Sequence, residues 1–321
     1  MYKVIMAPTE GSDIEEGAIS VAAKLAQRFE ADLHLVRALP PPLVAETPDT
    51  PVLEITVQAL ADERLARLHK LEALGEQLRA LGNIRVITAL KDGRANETLR
   101  DYADKFNVGL IVMSSHSRGG LKRVTLGSVT DYLIRNTNTP VLVVKPPASF
   151  IGATPEETVA RIVVPLDGSA MAEQILPEVV PLALALNASV DLLHVLVSLT
   201  YSQKRIKQAG LPWWDADIAS ANAYLAEQAA YLAKEAVNVN KAVILSDNVP
   251  AAILDYAARV DANLIAIATS GIGGMSRFVF GTVADEVTRK SPTSLLVFHP
   301  KRETAVTDAA NEPGAQALAN T

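Results

Sequence analysis

The sequence predicts an α/β protein made of two tandem doubly wound domains, each with a five-stranded parallel sheet. Three observations carry this. Short apolar runs alternate with segments of helical periodicity along the chain. The whole series occurs twice: VIMAPTEGS at 4–12 returns as IVVPLDGS at 162–169, and LIVMSSHSRGGLKRVTLGSV at 110–129 returns as LIAIATSGIGGMSRFVFGTV at 264–283. Each half then closes on an apolar run behind a Pro, PVLVVKPP at 140–147 and SPTSLLVFHP at 291–300. A repeat of this length is a duplicated domain, because solenoid units recur every 20–50 residues or so.

In the first half, strands are expected at 3–7, 33–38, 84–90, 110–113 and 141–144. Ser12 and Glu15 have the spacing of a capping box. Ile14, Ala18, Val21, Leu25 and Phe29 follow with the spacing of one helix face. Further helices fit 57–81, 96–105 and 128–136, the long one closed by Gly82. The Pro-rich stretch 40–51 resists regular structure. The second half repeats the order, with strands at 162–165, 191–197, 242–245, 264–268 and 295–298. Its helices are expected at 171–186, 220–237, 251–259 and 282–290. The division is placed at 1–149 and 158–302. Residues 303–321 lack periodicity and large apolar side chains and are expected to be a disordered tail.

Bulk composition excludes several functions. The 321 residues carry a net charge of −6, which opposes a nucleic-acid or anionic-membrane role. There is no Cys, hence no disulfide framework and no thiol chemistry. No apolar stretch reaches the length of a membrane span. The opening residues run straight into a strand with no signal peptide, so a cytoplasmic protein is expected.

Ligands of doubly wound sheets bind beyond the carboxyl ends of the strands, where strand order reverses. With strand 1 central, strands 2 and 3 on one side and 4 and 5 on the other, that point lies between strands 1 and 4. The two best-repeated segments follow those strands and are expected to face each other. Gly119 and Gly120 in the first half, and Gly271, Gly273 and Gly274 in the second, allow close approach of a backbone to a ligand. Gly127-Ser128 and Gly281-Thr282 then open helices, whose N-termini favour phosphate. Ser128-x-x-Asp131 and Thr282-x-x-Asp285 also fit capping boxes, so plain N-capping is the competing reading, and a hydroxyl can do both.

Both halves resemble universal stress protein domains, and the chain resembles a tandem member of that family. Its nucleotide-binding members carry G-x2-G-x9-G-[S/T] after strand 4 and an Asp at the end of strand 1. The second half gives Ala268-x2-Gly271-x9-Gly281-Thr282 with Asp167, losing only the first Gly. The first half gives Ser114-x2-Ser117-x9-Gly127-Ser128 with Glu10 for the Asp. The resemblance implies a Rossmann-like fold of the adenine nucleotide α-hydrolase type, with the fifth strands pairing the halves into an internal pseudo-dimer. It also implies a bound adenine nucleotide: ATP, AMP or ADP, with or without Mg²⁺. In the second half Pro165, Leu166, Asp167, Val195, Ala268, Gly271, Gly281, Thr282 and Val283 would hold it. In the first the counterparts are Glu10, Ala38, Ser114, Ser117, Gly127, Ser128 and Val129.

The second half has the better glycines. The first has more charge in its loop, with Arg118, Lys122 and Arg123 against Arg277 alone. Nothing resembles a general base beside a phosphate loop, and there is no G-x4-G-K-[S/T]. The implied protein is therefore a stress-response regulatory or protective binder with an unknown protein partner, monomeric or homodimeric. The alternatives are a slow ATPase or autokinase, and a nucleotide-free scaffold. His116 among its serines has no carboxylate placed to orient it. His34, His69, His194 and His299 show no metal-ligand spacing. Trp213-Trp214 reads as local packing. Gly271-x-Gly273 has Ser276 where a dinucleotide fingerprint needs its third glycine.

Overall fold

The computed structural model describes residues 2–11, 16–41, 53–115, 126–145, 160–197, 214–269 and 281–300. The first half runs β1 (Val4–Pro8), α1 (Glu16–Phe29), β2 (Asp32–Leu39), α2 (Leu53–Leu81), β3 (Val86–Asp92), α3 (Ala95–Lys105), β4 (Leu110–Ser114), α4 (Ser128–Asn136) and β5 (Val141–Val144). The second runs β6 (Arg161–Pro165), α5 (Ala170–Glu173), α6 (Leu176–Ala185), β7 (Ser189–Leu196), α7 (Trp214–Lys234), β8 (Asn238–Leu245), α8 (Val249–Arg259), β9 (Leu264–Ala268), α9 (Thr282–Lys290) and β10 (Ser294–Phe298).

The ten strands of the described residues join one sheet, in the order β3-β2-β1-β4-β5-β10-β9-β6-β7-β8. Each half thus has its first strand at the centre, as the sequence predicts. Neighbours are parallel except at the seam, where β5 and β10 run antiparallel through Leu142↔Leu296. That pairing is the pseudo-dimer contact expected of the fifth strands.

Alternation along the strands fills both faces. Ile5 and Ala7 enter one apolar cluster and Met6 the other, and both clusters run through both halves. Burial on two faces explains why the inner strands read as unbroken apolar runs. Helix α6 ties the halves on one face: Tyr2, ahead of β1, donates from its hydroxyl to the Glu178 carboxylate at 3.0 Å, and Arg28 of α1 donates to the Ala185 carbonyl at 3.0 Å. Helices α4 and α9 meet on the other through an ion-paired quartet.

Four elements differ from expectation. The helix expected at 171–186 is two helices. Pro177 has no N–H to give the Glu173 carbonyl, so the ladder stops at α5 and restarts as α6. Helices α2 and α7 begin earlier, at Leu53 and Trp214, and β8 begins at Asn238. As an edge strand, β8 carries polar residues, which hid its first residues, Asn238–Lys241, from an apolar-run reading. The Ser12–Glu15 capping box and the 303–321 tail lie outside the described residues. Among the described residues, no helix is long and apolar enough to cross a membrane.

Candidate functional site

In each half the first and fourth strands pair briefly and then part. β1 meets β4 at Ile5↔Leu110 and Met6↔Ile111, and β6 meets β9 at Ile162↔Leu264 and Val163↔Ile265. On their other sides the same strands stay in register as far as Pro8↔Val36 and Pro165↔Leu193. The divergence opens a crevice at the carboxyl end of each half.

The second-half crevice has a cavity volume of about 390 Å³. Pro165, Leu166 and Asp167 form one wall, and Ala268, Gly281, Thr282 and Val283 the other. Val195 lies on its floor, with Leu193, Val249, Ile253 and Ile267. The Leu193 carbonyl accepts from the Leu166 N–H at 2.8 Å. Backbone groups of a strand alternate in direction, so those of Val195 point the same way as Leu193, past the end of β6 and into the crevice. Asp167 is exposed, and its Oδ1 accepts from the Ser169 N–H at 2.9 Å and the Ser169 hydroxyl at 2.6 Å. Gly168 turns the chain here at φ +84°.

The first-half crevice has a volume of only about 70 Å³. Glu10, Ala38, Ser114, Gly127 and Val129 line it. Ser128 is exposed and does not. Thr130 does, buried and donating to the Ser114 carbonyl at 3.3 Å. Ser117 and Gly271, with His116, Trp213 and the other loop glycines, lie outside the described residues.

The capping-box reading of Ser128 and Thr282 is corrected. The N-caps are Gly127 (φ −62°, ψ 149°) and Gly281 (φ −60°, ψ 141°), with no side-chain cap bond. Their carbonyls accept from the Asp131 and Asp285 N–H groups, both at 2.9 Å. Ser128 and Thr282 are therefore the first helical residues. The first-turn N–H groups keep their partial positive charge, and in the second half they face the cavity. Asn248 N-caps α8 by accepting from the Ala251 N–H.

Sequence reasoning missed the apolar lining from the third helix of each half: Ala95 and Leu99 on α3, Val249 and Ile253 on α8. Their shared i, i+4 spacing at the start of a repeated helix was the available signal. It also missed Thr9, Val36 and Met113 in the first half, and Ala172, Leu193, Ile267 and Ala284 in the second.

With the geometry in hand, comparison with known proteins is decisive for the family. A model of the universal stress protein family matches residues 1–145 and, again, 158–299. The chain belongs to the universal stress protein family. Universal stress protein MJ0531 of Methanocaldococcus jannaschii is 30% identical over 147 residues, covering 46% of this chain and 84% of that one. A universal stress protein of Mycolicibacterium smegmatis is 23% identical over 299 residues, covering 92% of this chain and 97% of that one. Among solved structures, a universal stress protein from Pseudomonas aeruginosa superposes with a TM-score of 0.63 at 19% identity, covering 93% of this chain and 94% of that one. The two matches of the family model show the tandem arrangement of this chain.

Proposed function

We propose that this universal stress protein binds one adenine nucleotide per chain, in the second-half crevice, and acts as a regulatory or protective binder without efficient chemistry. One observation carries the reading: an apolar slot of about 390 Å³ lies between the Asp167 turn and the uncapped N-terminus of α9. A flat base suits the Leu193, Val195 and Ile253 floor. The Val195 backbone offers the base hydrogen bonds, Asp167 offers the sugar a carboxylate, and the Gly281-Thr282 turn offers phosphate its N–H groups. ATP, ADP and AMP all fit this description, with Mg²⁺ as an optional companion held at Asp167. The first-half crevice, about five times smaller, is read as a nucleotide-free partner domain. The division at 1–149 and 158–302 is part of this reading.

The test is to heat-denature the purified protein, identify by mass any released small molecule, and titrate ATP into the emptied protein. About one adenine nucleotide per chain, lost in Gly281→Val, is the expected result. Two per chain gives the first half a site as well. No released nucleotide together with no ATP heat overturns the reading in favour of a scaffold.

A further inference from the structure

The two halves hold the end of their fourth strand in different ways. Ser114 pairs with Val144 in the first half and Ala268 with Phe298 in the second, so Ser115 and Thr269 are matching residues just past the paired strands. Each reaches the neighbouring fifth strand through its N–H. Thr269 donates to the Phe298 carbonyl at 2.9 Å, and Ser115 to the Val144 carbonyl at a longer 3.3 Å. The Ser115 carbonyl accepts in turn from the Gly127 N–H at 3.0 Å, which ties the strand end to the lip of α4. The counterpart bond from Gly281 to Thr269 is not made, and the Gly281 N–H meets no acceptor among the described residues.

In the second half a side-chain bond holds the strand end back. Thr269 is fully buried, and its hydroxyl shares a 2.6 Å hydrogen bond with His299 Nδ1. His299 follows Phe298 as Lys145 follows Val144. Lys145 gives its ammonium to the Ser291 carbonyl across the seam. Thr269 is thus fixed beside β10 by backbone and side chain together, and carrying its carbonyl over to Gly281 would break the hydroxyl–imidazole bond. The crevice volumes run with the two arrangements: about 70 Å³ where the glycine lip is tied and about 390 Å³ where it is not.

We infer that Thr269 and His299 are positioning residues for the second-half site: their bond keeps the strand end beside β10 and leaves the Gly281 N–H to a ligand's phosphate. This rests on the nucleotide reading above. The first half displays the alternative, a latched crevice in which the Ser115 carbonyl occupies the donor that phosphate would need. Latch and phosphate compete for one N–H, because a single donor makes one good hydrogen bond at a time. Release of Thr269 from His299 is therefore autoinhibitory in the second half.

The experiment follows amide exchange at Gly127 and Gly281 by NMR in the full chain, freed of bound nucleotide, beside calorimetric titration of AMP. In the unsubstituted protein the Gly127 amide is protected, and the Gly281 amide exchanges freely until AMP is added. In Thr269→Val the Gly281 amide becomes protected without ligand, and AMP affinity falls about tenfold, the size of one hydrogen bond to a charged group. Thr269→Ser, which keeps the hydroxyl, restores both. His299→Ala breaks the same bond from a half-buried position and gives the same result should Thr269→Val not fold, with protection at Gly127 reporting an intact first half. A Gly281 amide already protected in the unsubstituted, ligand-free protein overturns the inference. So does one that stays unprotected in both variants, or an AMP affinity that does not fall with protection. Absence of AMP binding to the unsubstituted protein overturns the nucleotide reading instead, and amide exchange then still decides the latch.

Discussion

Arg135 of α4 donates to Asp285 of α9 at 2.5 Å, and the two residues come from opposite halves of the chain. The contact sits in a quartet with near two-fold symmetry. Arg135 also meets Asp131 at 3.0 Å, Arg289 meets Asp285 at 2.9 Å, and Arg289 lies 3.9 Å from Asp131. Both helices begin at the glycine lip of a crevice, so the quartet joins the two candidate sites mechanically as well as the two halves.

Burial works against the Asp285 carboxylate, but hydrogen bonds from Arg289 and Arg135 outweigh it and hold its pKa below 3.8. A depressed carboxylate pKa contributes stability above its unfolded value, and that contribution is lost as pH falls through the folded one. Asp285→Asn is expected to cost about 1 kcal/mol at pH 7. Its urea midpoint should also fall less steeply below pH 4 than that of the unsubstituted protein. Equal acid limbs would contradict the assignment.

Lys145, at the exit of β5, is buried and donates from Nζ to the Ser291 carbonyl at the end of α9. Burial lowers its pKa to about 8. Between about 8 and 10.5 the unfolded chain holds a proton that the folded one has shed, so stability rises with pH across that window. Thermal melts at pH 7.5 and pH 9.5 should show the rise, and Lys145→Met should abolish it. A rise that survives in Lys145→Met would place its origin elsewhere.

Three histidines shift together. Burial lowers the pKa of His34, His194 and His299 below 6.5. The unfolded chain then takes up protons first as pH falls below 6.5, and stability declines until the folded pKa values are reached. The melting temperature should drop between pH 7 and pH 5.5. His299→Gln, losing the ring bonded to Thr269 at 2.6 Å, should lessen that drop while lowering stability at pH 7. An unchanged pH slope would count against it.

At the amino ends of the strands the halves solve one packing problem in two ways. Tyr256 donates to the buried Asp191 carboxylate at 3.0 Å, and Asn240 donates to its other oxygen at 2.9 Å. The matching Tyr102 bonds His34 at 3.0 Å. Burial and then Asp191 push the Tyr256 pKa up to about 12. Tyr256→Phe leaves a buried carboxylate oxygen unpaired and should cost about 1–3 kcal/mol. Tyr102→Phe strands only a neutral imidazole nitrogen and should cost less. Denaturant midpoints of the two variants check the order.

Much of this architecture was legible in the sequence: repeated apolar runs at repeated spacing carry the strand order, and the family resemblance carries the seam. Asp167, Gly281 and Thr282 could be placed on facing walls from topology, and Val195 beside them from the family resemblance. The break at Pro177 was legible in principle, since a missing N–H follows from residue type, but the apolar periodicity of 171–186 runs straight through it. The difference in crevice volume was not legible. Ala38 is smaller than Val195, yet its crevice is the tighter one, so the volume reflects how all the walls converge.

The antiparallel seam between β5 and β10 has a consequence for dilution. Two separate chains joined through such an edge come apart as their concentration falls. Here both edge strands belong to one polypeptide, and their pairing is intramolecular at any concentration. Unlike partners are also guaranteed, because every molecule carries one copy of each half. A substitution that spoils ligand capture in one half leaves the strand pairing of the other intact. With both halves in one chain, Ser114 and Ser117 can stand where the pattern has glycine, and Glu10 where it has Asp, without costing the second half its strand partner.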